Sequence, residues 1–342
     1  MTTLRVARGD YWMHPSFETG LAGEPRVQLR TFPVNGDPAP GLQALAQAHV
    51  YQISAAKDDL PRRWFAHEDL LAQCPQLLCV SSSGAGYDTV DVAACTARGI
   101  LVVNQAGGNA DSVAEHAIGM LISVSHRMLE CDRRMRREQG FSREDIMGHE
   151  IRGRTLGLVG LGEVGRRVAA LAKVFALDVI AADPFLSAEE IARRGARAVT
   201  LPELLEQADF VSLHCPRDAT TLKMIDAAAF ARMKKGAIFV STARGGIHDE
   251  AALVQALRSG HLAGAGIDVW DREPPPLDHP LLQMDNVYAT FHTAGVTHEA
   301  RRNVATMAAR QILGLLAGER PPRLVNPQAL PACEERRKQL LR

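Results

Sequence analysis

One stretch, Leu156 to Asp183, constrains the fold of this chain more than any other: LGLVGLGEVGRRVAALAKVFALDVIAAD. The apolar run Leu156 to Val159 predicts a strand that enters a glycine-rich turn, and apolar residues then recur at helical spacing. A second apolar run, Val179 to Ala182, predicts another strand and ends at an acid. Strand, glycine turn, helix, strand and acid in this order are typical of a nucleotide-binding βαβ unit.

The glycines of this turn have the spacing of a dinucleotide-binding loop. Gly160 permits the tight turn, Gly162 lets backbone N–H groups approach a pyrophosphate at the helix N-terminus, and Gly165 lets the helix pack closely on the strand. The carboxylate of Asp183 can accept hydrogen bonds from the adenosine ribose hydroxyls. A glycine-rich bend alone is weak evidence, but here the strand, helix and acid are all present. We therefore predict a dinucleotide site.

The acid at the end of the second strand favours NAD over NADP. The carboxylate of Asp183 would repel a 2′-phosphate, and the next residue is Pro184 rather than an arginine that could bind this phosphate. The alternative is that Asp183 only forms the turn at the strand end. NAD is therefore the predicted cofactor.

Length and composition limit the class of protein. The 342 residues suit two domains of ordinary size. With 46% hydrophobic and 23% charged residues and a formal net charge of zero, the chain shows no bias toward nucleic acid or membrane, and we expect neither as a partner. The basic run Arg133 to Arg137 contains Met135 and continues a helical segment, which favours a solvated or subunit-facing helix surface.

The six cysteines are scattered and form no C-x-x-C pair. This pattern indicates reduced thiols rather than a disulfide framework or a zinc site, and we expect no metal. The stretch Met1 to Asp10 lacks an apolar core like that of a signal peptide, and nowhere do eighteen apolar residues follow one another. We therefore expect a cytoplasmic protein.

The segments before the glycine turn alternate between predicted strands and helices, which predicts a parallel sheet with helices on both faces. The predicted strands are Val27 to Phe32, Tyr51 to Ser54, Leu77 to Ser81 and Ile100 to Val103, and the predicted helices are Leu42 to Ala48, Phe65 to Gln73 and Val90 to Arg98. The residues from Met1 to Pro25 show no clear period. They are predicted to form an irregular arm.

A long helix, with Asp111 or Ser112 as its N-cap, is predicted to carry the chain from this first domain to the second. Strands after the glycine turn predict a doubly wound nucleotide domain, and they are Phe210 to Leu213, Ala237 to Ser241, Gly264 to Ile267 and Val287 to Thr290. A final helix, His298 to Leu316, leads into Pro321 to Val325. We expect this extended segment to rejoin the first domain.

Several motifs in order resemble one protein family. They are SSSGAGYDTVDVAACTARGILVVNQAGGNADSVAEHAIGML, the glycine turn, HCPRDATT, STARGGIHDEAALVQALRSGHLAGAGIDVWDREPP and FHTAG. From about Cys79 to the C-terminus the chain is similar to the NAD-dependent D-2-hydroxyacid dehydrogenases, which include phosphoglycerate, hydroxypyruvate, glyoxylate and D-lactate dehydrogenases.

This resemblance implies an α/β fold with two doubly wound parallel-sheet domains. A Rossmann NAD-binding domain, residues 109–297, would be inserted in a discontinuous flavodoxin-like substrate domain, residues 1–108 and 298–342. It also implies a small 2-oxo or 2-hydroxy acid as substrate. A homodimer is expected, with the region from Ser123 to Met147 contributing to the interface.

The family's catalytic trio would be Arg244 in ARGG, Glu273 in DREPP and His292 in FHTAG. Arg244 and His292 each follow a predicted strand whose carboxyl end faces the ligand crevice of such a sheet. A guanidinium can bind a carboxylate and a neighbouring carbonyl oxygen, and an imidazole can exchange a proton near neutral pH. Glu273 would orient the imidazole and favour its charged form.

The resemblance assigns further residues to the cofactor and the substrate. The cofactor set is Gly160, Gly162, Glu163, Val164, Gly165, Asp183, Cys215, Thr242, Ala243, Asp268, Thr293, Ala294 and Gly295, and the substrate set is Ala85, Gly86, Asn109 and Arg244. Asp268 would lie near the nicotinamide carboxamide, with a buried capping role as the alternative. Cys215, Thr242 and Ala243 could equally be loop-packing residues.

Two residues depart from the family pattern. Phe291 stands where a proline usually precedes the catalytic histidine, and Tyr87 stands where a small aliphatic residue is common.

The predicted function is reversible reduction of a 2-oxo acid to a D-2-hydroxy acid with NADH. The alternative is an NAD-sensing binding protein that recruits partners. A formate dehydrogenase is disfavoured because that branch carries glutamine at the position of Glu273.

Overall fold

The chain forms two compact units in the computed structural model, which describes residues 3–341. One unit comprises Met1–Asn109 and Thr297–Arg342, and the other comprises Ala110–Val296. The chain thus leaves the first unit once and returns to it. The roles predicted for the two units, substrate binding and cofactor binding, stay predictions.

The first unit contains a parallel sheet with strand order β2-β1-β3-β4-β5. This is the order of the flavodoxin-like doubly wound fold. Its strands are β1 (Leu4–Gly9), β2 (Val27–Phe32), β3 (Val50–Ile53), β4 (Cys79–Ser82) and β5 (Leu101–Val103). Its helices are α1 (Ser16–Ala22), α2 (Ala39–Ala46), α3 (Glu68–Leu71), α4 (Val92–Ala97), α12 (His298–Ala317) and α13 (Leu330–Leu340).

The prediction of an irregular N-terminal arm was wrong, because this segment holds β1 and α1. Strand β1 lies inside the sheet and pairs with both β2 and β3. Leu4 and Val6 do recur at every second position, but Arg8 continues that buried row and hides the pattern. The guanidinium of Arg8 is only 6% exposed, and it donates to the Tyr11 carbonyl and, at 3.1 Å, to Glu18. These partners allow an arginine to occupy a core position.

The return of the chain to the first unit is confirmed. Helix α12 begins at His298, as predicted, with the Thr297 side chain accepting a hydrogen bond from Ala300 N. Beyond it, Leu324 pairs antiparallel with Val103, and Val325 N donates to the Val102 carbonyl at 2.8 Å. The segment from Pro321 to Val325 therefore contributes a short antiparallel contact at the edge strand β5.

The second unit contains a parallel sheet with strand order β12-β11-β10-β9-β6-β7-β8. This order is that of a Rossmann domain with one further strand. Its strands are β6 (Thr155–Val159), β7 (Asp178–Ala182), β8 (Arg197–Ala198), β9 (Phe210–Leu213), β10 (Ala237–Ser241), β11 (Leu262–Ile267) and β12 (Val287–Ala289). Its helices are α5 (Ala110–Ser125), α6 (Met128–Arg137), α7 (Glu163–Val174), α8 (Ala188–Arg193), α9 (Leu201–Gln207), α10 (Ala227–Arg232) and α11 (Glu250–Arg258).

The predicted N-cap of the long helix was wrong, since α5 already includes Ala110 and both Asp111 and Ser112 lie inside the helix. Asp111 therefore lies in the first turn, where a carboxylate is favourable toward the positive end of the helix dipole. The buried face of α5, which includes Ala117 and Leu121, packs against the sheet of its own unit. Helix α5 ends near Arg127, whose left-handed φ of 53° separates it from α6.

Apolar side chains cover both faces of the second sheet. Leu213, Phe239 and Ile267 belong to one cluster, and Leu158 and Val168 belong to the cluster on the other side. Burying each such side chain contributes roughly 1.5–3 kcal/mol. The two clusters fix the strand ends from which the predicted site residues extend.

Within residues 3–341, no helix is long and apolar enough to cross a membrane. The same residues contain no group of three or more His, Cys, Asp or Glu side chains that could hold a metal ion. All six cysteines are free thiols.

His248 is a buried histidine without a compensating hydrogen bond. It is fully buried, and within the described chain neither ring nitrogen has a partner. Its ring lies edge-on to Phe239, with 5.3 Å between centroids. Burial lowers the pKa of His248 to about 4. The folded state therefore resists protonation of this ring.

We expect the free energy of unfolding to fall as the pH drops from 6.5 toward about 4, because the unfolded chain takes up the His248 proton first. His248→Val should remove about 2 kcal/mol of the loss between pH 8 and pH 5. Urea unfolding of both proteins across this range measures the effect. The exposed His126→Gln variant is the control and should keep the wild-type slope; an unchanged slope in His248→Val would contradict the prediction.

Candidate active site

The glycine turn joins β6 to α7 by close backbone contacts. Gly160 has φ +89°, and a Cβ there would lie 2.8 Å from Cys215 N. A Cβ on Gly165 would collide with the Gly160 carbonyl oxygen. A side chain at Gly165 would thus push the helix away from the end of the strand, and one at Gly160 would push the turn away from the main chain at Cys215.

Gly162 differs from these two glycines, because a Cβ there would meet nothing within 4 Å. Its lack of a side chain does not serve packing inside the protein. It leaves open space in front of the first N–H groups of α7, which have no acceptor within the helix. This cradle fits a pyrophosphate.

Two buried hydroxyl groups at the end of β10 also fit a ligand. Within residues 3–341, Ser241 Oγ and Thr242 Oγ1 are buried and have no hydrogen-bond partner. A buried hydroxyl without a partner is unfavourable unless another molecule satisfies it. Both hydroxyls lie next to Ala243 and Arg244 in sequence, at the carboxyl edge of the sheet where dinucleotides bind. The residues present therefore fit the predicted cofactor.

Asp183 follows β7 and is half-buried. Its Oδ2 accepts a hydrogen bond from Leu161 N at 2.9 Å, and its Oδ1 accepts one from Phe185 N at 3.0 Å. The carboxylate thus ties the glycine turn to the end of β7, in agreement with the alternative reading of this residue as a turn former. Each oxygen keeps a further lone pair, so contact with ribose hydroxyls stays compatible with this geometry.

Arg244 lies after β10 on a loop that approaches the neighbouring loop very closely. Its Nη1 donates to the Ala243 carbonyl at 2.7 Å. A Cβ on Gly245 would collide with the carbonyl oxygen of Trp270. Gly245 therefore permits a main-chain contact between the loop of Arg244 and the loop that leads to Glu273.

Glu273 and His292 form a direct pair. His292 Nδ1 lies 2.9 Å from Glu273 Oε2, and Glu273 Oε1 accepts a hydrogen bond from Trp270 N at 3.1 Å. Burial would raise the pKa of Glu273. The hydrogen bond and charge of His292, the Trp270 N–H and the charge of Arg244 together outweigh burial and hold the pKa of this carboxyl below its usual value. Glu273 is therefore an anion beside the imidazole.

The backbone of His292 is strained. Its φ is +46°, in the left-handed region that residues other than glycine seldom adopt. The conformation is held by a hydrogen bond from His292 N to the Asp268 carbonyl at 2.7 Å. Such strain costs on the order of 1–3 kcal/mol and is common at functional sites.

Asp268 is 1% exposed, and its carboxylate binds the loop that contains His292. Its Oδ1 accepts hydrogen bonds from Thr290 Oγ1 at 2.6 Å and from Thr293 N at 2.8 Å, and its Oδ2 accepts one from Ala294 N at 3.0 Å. Asp268 is thus buried, but it binds N–H groups of a loop, whereas the alternative prediction was an aspartate that caps a helix. A contact with the nicotinamide carboxamide would have to use the remaining lone pair of Oδ2.

The other residues of the predicted cofactor set have simpler surroundings. The Glu163 side chain pairs with Arg166 at 2.6 Å and with Arg167 at 2.9 Å, so its backbone N–H is the group available to a phosphate. Cys215 is half-buried, and burial raises the pKa of its thiol to about 11. This thiol therefore packs as a neutral side chain. Val164 and Gly295 are also half-buried.

Ala85, Gly86 and Asn109 belong to the first unit, whereas Arg244, Glu273 and His292 belong to the second. The loop after β4 is braced within its own unit. Asn104 Nδ2 donates to the Ala85 carbonyl at 2.8 Å, and Ser82 Oγ donates to the Gly86 carbonyl at 2.6 Å. Both bonds thus occupy carbonyl oxygens of this loop with donors from the same unit.

Sequence reasoning missed several residues that shape the site. His116 on α5 lies 3.1 Å from Thr290 Oγ1, measured from its Nε2, and Trp270 Nε1 donates to the Thr290 carbonyl at 2.9 Å. Gly245 had a visible signal, since paired glycines in ARGG predict a close approach of backbones. His116 had no such signal in the sequence, because its partner Thr290 lies 174 residues away in the chain.

Comparison with known proteins agrees with this geometry. Residues 118–294 match the family model described as D-isomer specific 2-hydroxyacid dehydrogenase, NAD binding domain. A D-3-phosphoglycerate dehydrogenase of Archaeoglobus fulgidus is 40% identical over 250 residues, which are 73% of this chain and 47% of that protein. The chain thus spans about half the length of the phosphoglycerate dehydrogenases that it matches.

Two shorter relatives are covered more fully. A glyoxylate reductase of Korarchaeum cryptofilum is 38% identical over 265 residues, 77% of this chain and 80% of that protein. The crystal structure of a glyoxylate reductase from Paecilomyes thermophila superposes with a TM-score of 0.84 at 27% identity, covering 96% of this chain and all of that one. The chain therefore belongs to the D-isomer specific 2-hydroxyacid dehydrogenase family, with an NAD-binding domain in its second unit.

Proposed function

We propose that the protein transfers hydride reversibly between NADH and the C2 carbon of a 2-oxo acid, giving a D-2-hydroxy acid. The observation that carries this proposal is the Glu273–His292 pair, with 2.9 Å between Oε2 and Nδ1, in a family of dehydrogenases. Relatives named D-3-phosphoglycerate dehydrogenase and glyoxylate reductase support the same substrate class.

In this proposal Arg244 binds and orients the substrate. Its guanidinium stays charged and carries several N–H donors, so it can bind the substrate carboxylate and the C2 carbonyl oxygen together. This contact would draw electron density from C2 and prepare it for hydride. The anionic Glu273 nearby helps to keep the guanidinium in place, since each lowers the energy of the other's charged form.

His292 supplies the proton in the reductive direction. NADH, when bound, supplies the hydride that adds to C2. Since Nδ1 of His292 bonds to Glu273, Nε2 is the nitrogen that gives its proton to the carbonyl oxygen, which becomes the hydroxyl. In oxidation the neutral ring takes this proton back. Glu273 stabilises the charged ring and fixes its orientation.

In the first unit, Ala85, Gly86 and Asn109 are the residues proposed to contact substrate. The small residues Ala85 and Gly86 permit a carboxylate to approach backbone N–H groups closely. The bonds from Asn104 and Ser82 leave the carbonyls of this loop occupied, which favours an anion over a cation here. Residues 109–297 would bind NAD and residues 1–108 with 298–342 would bind substrate. A cytoplasmic location fits the six free thiols.

Turnover of a 2-oxo acid panel, followed by NADH absorbance, tests the proposal. We expect turnover with NADH and at least tenfold lower kcat/KM with NADPH, since Asp183 would repel a 2′-phosphate. Asp183→Ala should narrow this gap, chiefly by improving NADPH. Equal use of both cofactors by the wild type would contradict the assigned role of Asp183. Binding of NADH without turnover of any acid would favour an NAD-sensing protein instead.

The charge of Glu273 should set the pH range of each direction. Reduction needs protonated His292 and should fade as pH rises, whereas oxidation needs the neutral ring and should appear as pH rises. Glu273→Gln keeps an acceptor but removes the anion that faces the imidazole. We therefore expect the limb of each profile, the pH range over which that direction rises or falls, to move to lower pH. His292→Ala should lose a factor on the order of 10²–10⁴ in rate.

Profiles of kcat/KM against pH in both directions measure these limbs. Glu206→Gln is the control, because Glu206 forms an exposed pair with Arg232, at 2.7 Å, outside the proposed catalytic trio. Its limbs should stay at the wild-type pH. If the pH limbs of Glu273→Gln stay where they are in the wild type, the assignment of Glu273 as the charged partner of His292 is wrong.

We further propose a homodimer whose interface includes α6 and the segment that follows it. No residue of α6 is buried within the described chain, and Met135 is 70% exposed, as is Met147 at 68%. A cavity of about 470 Å³ is lined by Met147 and by side chains that include Leu129 and Tyr288. The Arg136–Asp132 pair at 2.8 Å neutralises part of the basic run. Such a surface suits another protein surface better than nucleic acid.

Sedimentation velocity over a range of concentrations tests the dimer. The wild type should sediment as a dimer, and Met135→Asp with Met147→Asp should shift it to monomer, because buried charges disfavour an apolar contact. Leu277→Asp is the control, since Leu277 is 90% exposed but lies outside α6. A wild type that stays monomeric at all concentrations would refute the proposal.

A further inference from the structure

We propose that His116 is a positioning residue for His292, acting through the hydroxyl of Thr290 and the carboxylate of Asp268. This inference rests on the proposed function, in which His292 exchanges the proton. His116 does not itself have to touch substrate or cofactor. Its part is to keep the loop from Thr290 to Ala294 in the one arrangement that holds the His292 backbone.

The direction of each hydrogen bond follows from the chemistry of the three groups. Thr290 Oγ1 lies 2.6 Å from Asp268 Oδ1 and 3.1 Å from His116 Nε2. A hydroxyl has one hydrogen, and a carboxylate can only accept. The Thr290 hydrogen therefore points to Asp268, and the hydroxyl oxygen accepts from His116. His116 must carry its hydrogen on Nε2.

Asp268 links this donor to His292. Its side chain accepts hydrogen bonds from Thr290, Thr293 and Ala294, and its main-chain carbonyl accepts one from His292 N at 2.7 Å. Four of the five residues from Thr290 to Ala294 are thus held by one aspartate. A shift of this carboxylate would loosen every one of these bonds.

His116 restricts where the Asp268 carboxylate can lie. The carboxylate is 1% exposed, and water does not fix its position. Without His116 the Thr290 hydroxyl loses its donor, and only its own bond to Asp268 still orients it. His116 Nε2 also lies 4.0 Å from Asp268 Oδ1, so a hydrogen on this nitrogen is favourable to the buried anion directly.

The left-handed backbone makes His292 sensitive to such loosening. At φ +46° the residue is held against its own preference. Relaxation would turn the ring away from Glu273 and from the substrate. The expected result is a lower fraction of enzyme in the reactive arrangement, which reduces kcat and leaves the KM for the 2-oxo acid unchanged.

The variants test separately the N–H donor of His116 and the size of its ring. His116→Phe keeps a planar ring without the N–H, and we expect its kcat to fall about 3- to 30-fold, as for one lost hydrogen bond at a strained site. His116→Gln keeps an N–H donor and should restore most of the rate. Thr290→Val removes both the acceptor of His116 and the donor to Asp268, so it should lower kcat at least as much as His116→Phe, and the double variant should be no worse than Thr290→Val alone. Glu115→Gln, an exposed neighbour on α5, is the matched control.

Histidine ¹⁵N–¹H correlation spectra of the whole protein provide a readout that does not depend on turnover. In the wild type the neutral His116 ring should carry its hydrogen on Nε2, and His116→Phe should shift the ring signals of His292. A hydrogen on Nδ1, or unchanged His292 signals, would overturn the proposal. So would an unchanged kcat in His116→Phe, or a fall in kcat that His116→Gln does not reverse.

Failure of the proposed function would look different from failure of this inference. If no 2-oxo acid is turned over while the His116 tautomer and the shift of His292 signals are as expected, the positioning contact stands and the assigned reaction fails. If turnover is normal but the His292 signals do not respond to His116→Phe, the reaction stands and the positioning role fails.

Discussion

The buried carboxylate of Asp268 is the group on which the geometry of the site depends. It stands directly after β11 and binds the loop that follows β12, so two neighbouring strands share one polar centre. A carboxylate removed from water is unfavourable unless its lone pairs are filled. Here N–H and O–H groups of the loop donate hydrogen bonds to the carboxylate, and these bonds hold the loop in place. The same bonds that satisfy Asp268 thereby hold His292 in a conformation that it would not adopt alone.

Close contacts between backbones complete the arrangement. Gly165 lets α7 approach the end of β6, and Gly245 lets the loop of Arg244 touch the carbonyl of Trp270. Trp270 N in turn binds Glu273, which binds His292. The Gly245–Trp270 and Glu273–His292 contacts join loops at the carboxyl ends of adjacent parallel strands, where open α/β sheets bind ligands. The cofactor cradle and the catalytic pair are therefore consequences of one packing pattern. Glycines let main chains approach closely, and hydrogen bonds from polar side chains hold the resulting loop positions.

Local patterns in the sequence predicted most of the fold. The strands Phe210–Leu213 and Ala237–Ser241 have the predicted bounds, because continuous apolar runs between turn residues are characteristic of buried parallel strands. β1 was missed because Arg8 occupies a core position that only its distant partners make acceptable. His116 and Thr290 were missed for a related reason. Their contact joins α5 to the end of β12, and no periodicity within either segment records a hydrogen bond between them.

Phe291 shows how this site differs from the family pattern in physical terms. A proline at that position would fix its own φ and restrict the residue before it, so that part of the loop geometry would be set by covalent structure. Phe291 leaves both backbones freer, and it is 47% exposed, so little packing replaces the lost restriction. The order of the loop must then come from bonds made by its neighbours. Asp268 holds Thr290 on one side of Phe291 and the residues from His292 to Ala294 on the other. In this chain hydrogen bonds to a buried aspartate thus hold the loop on both sides of Phe291.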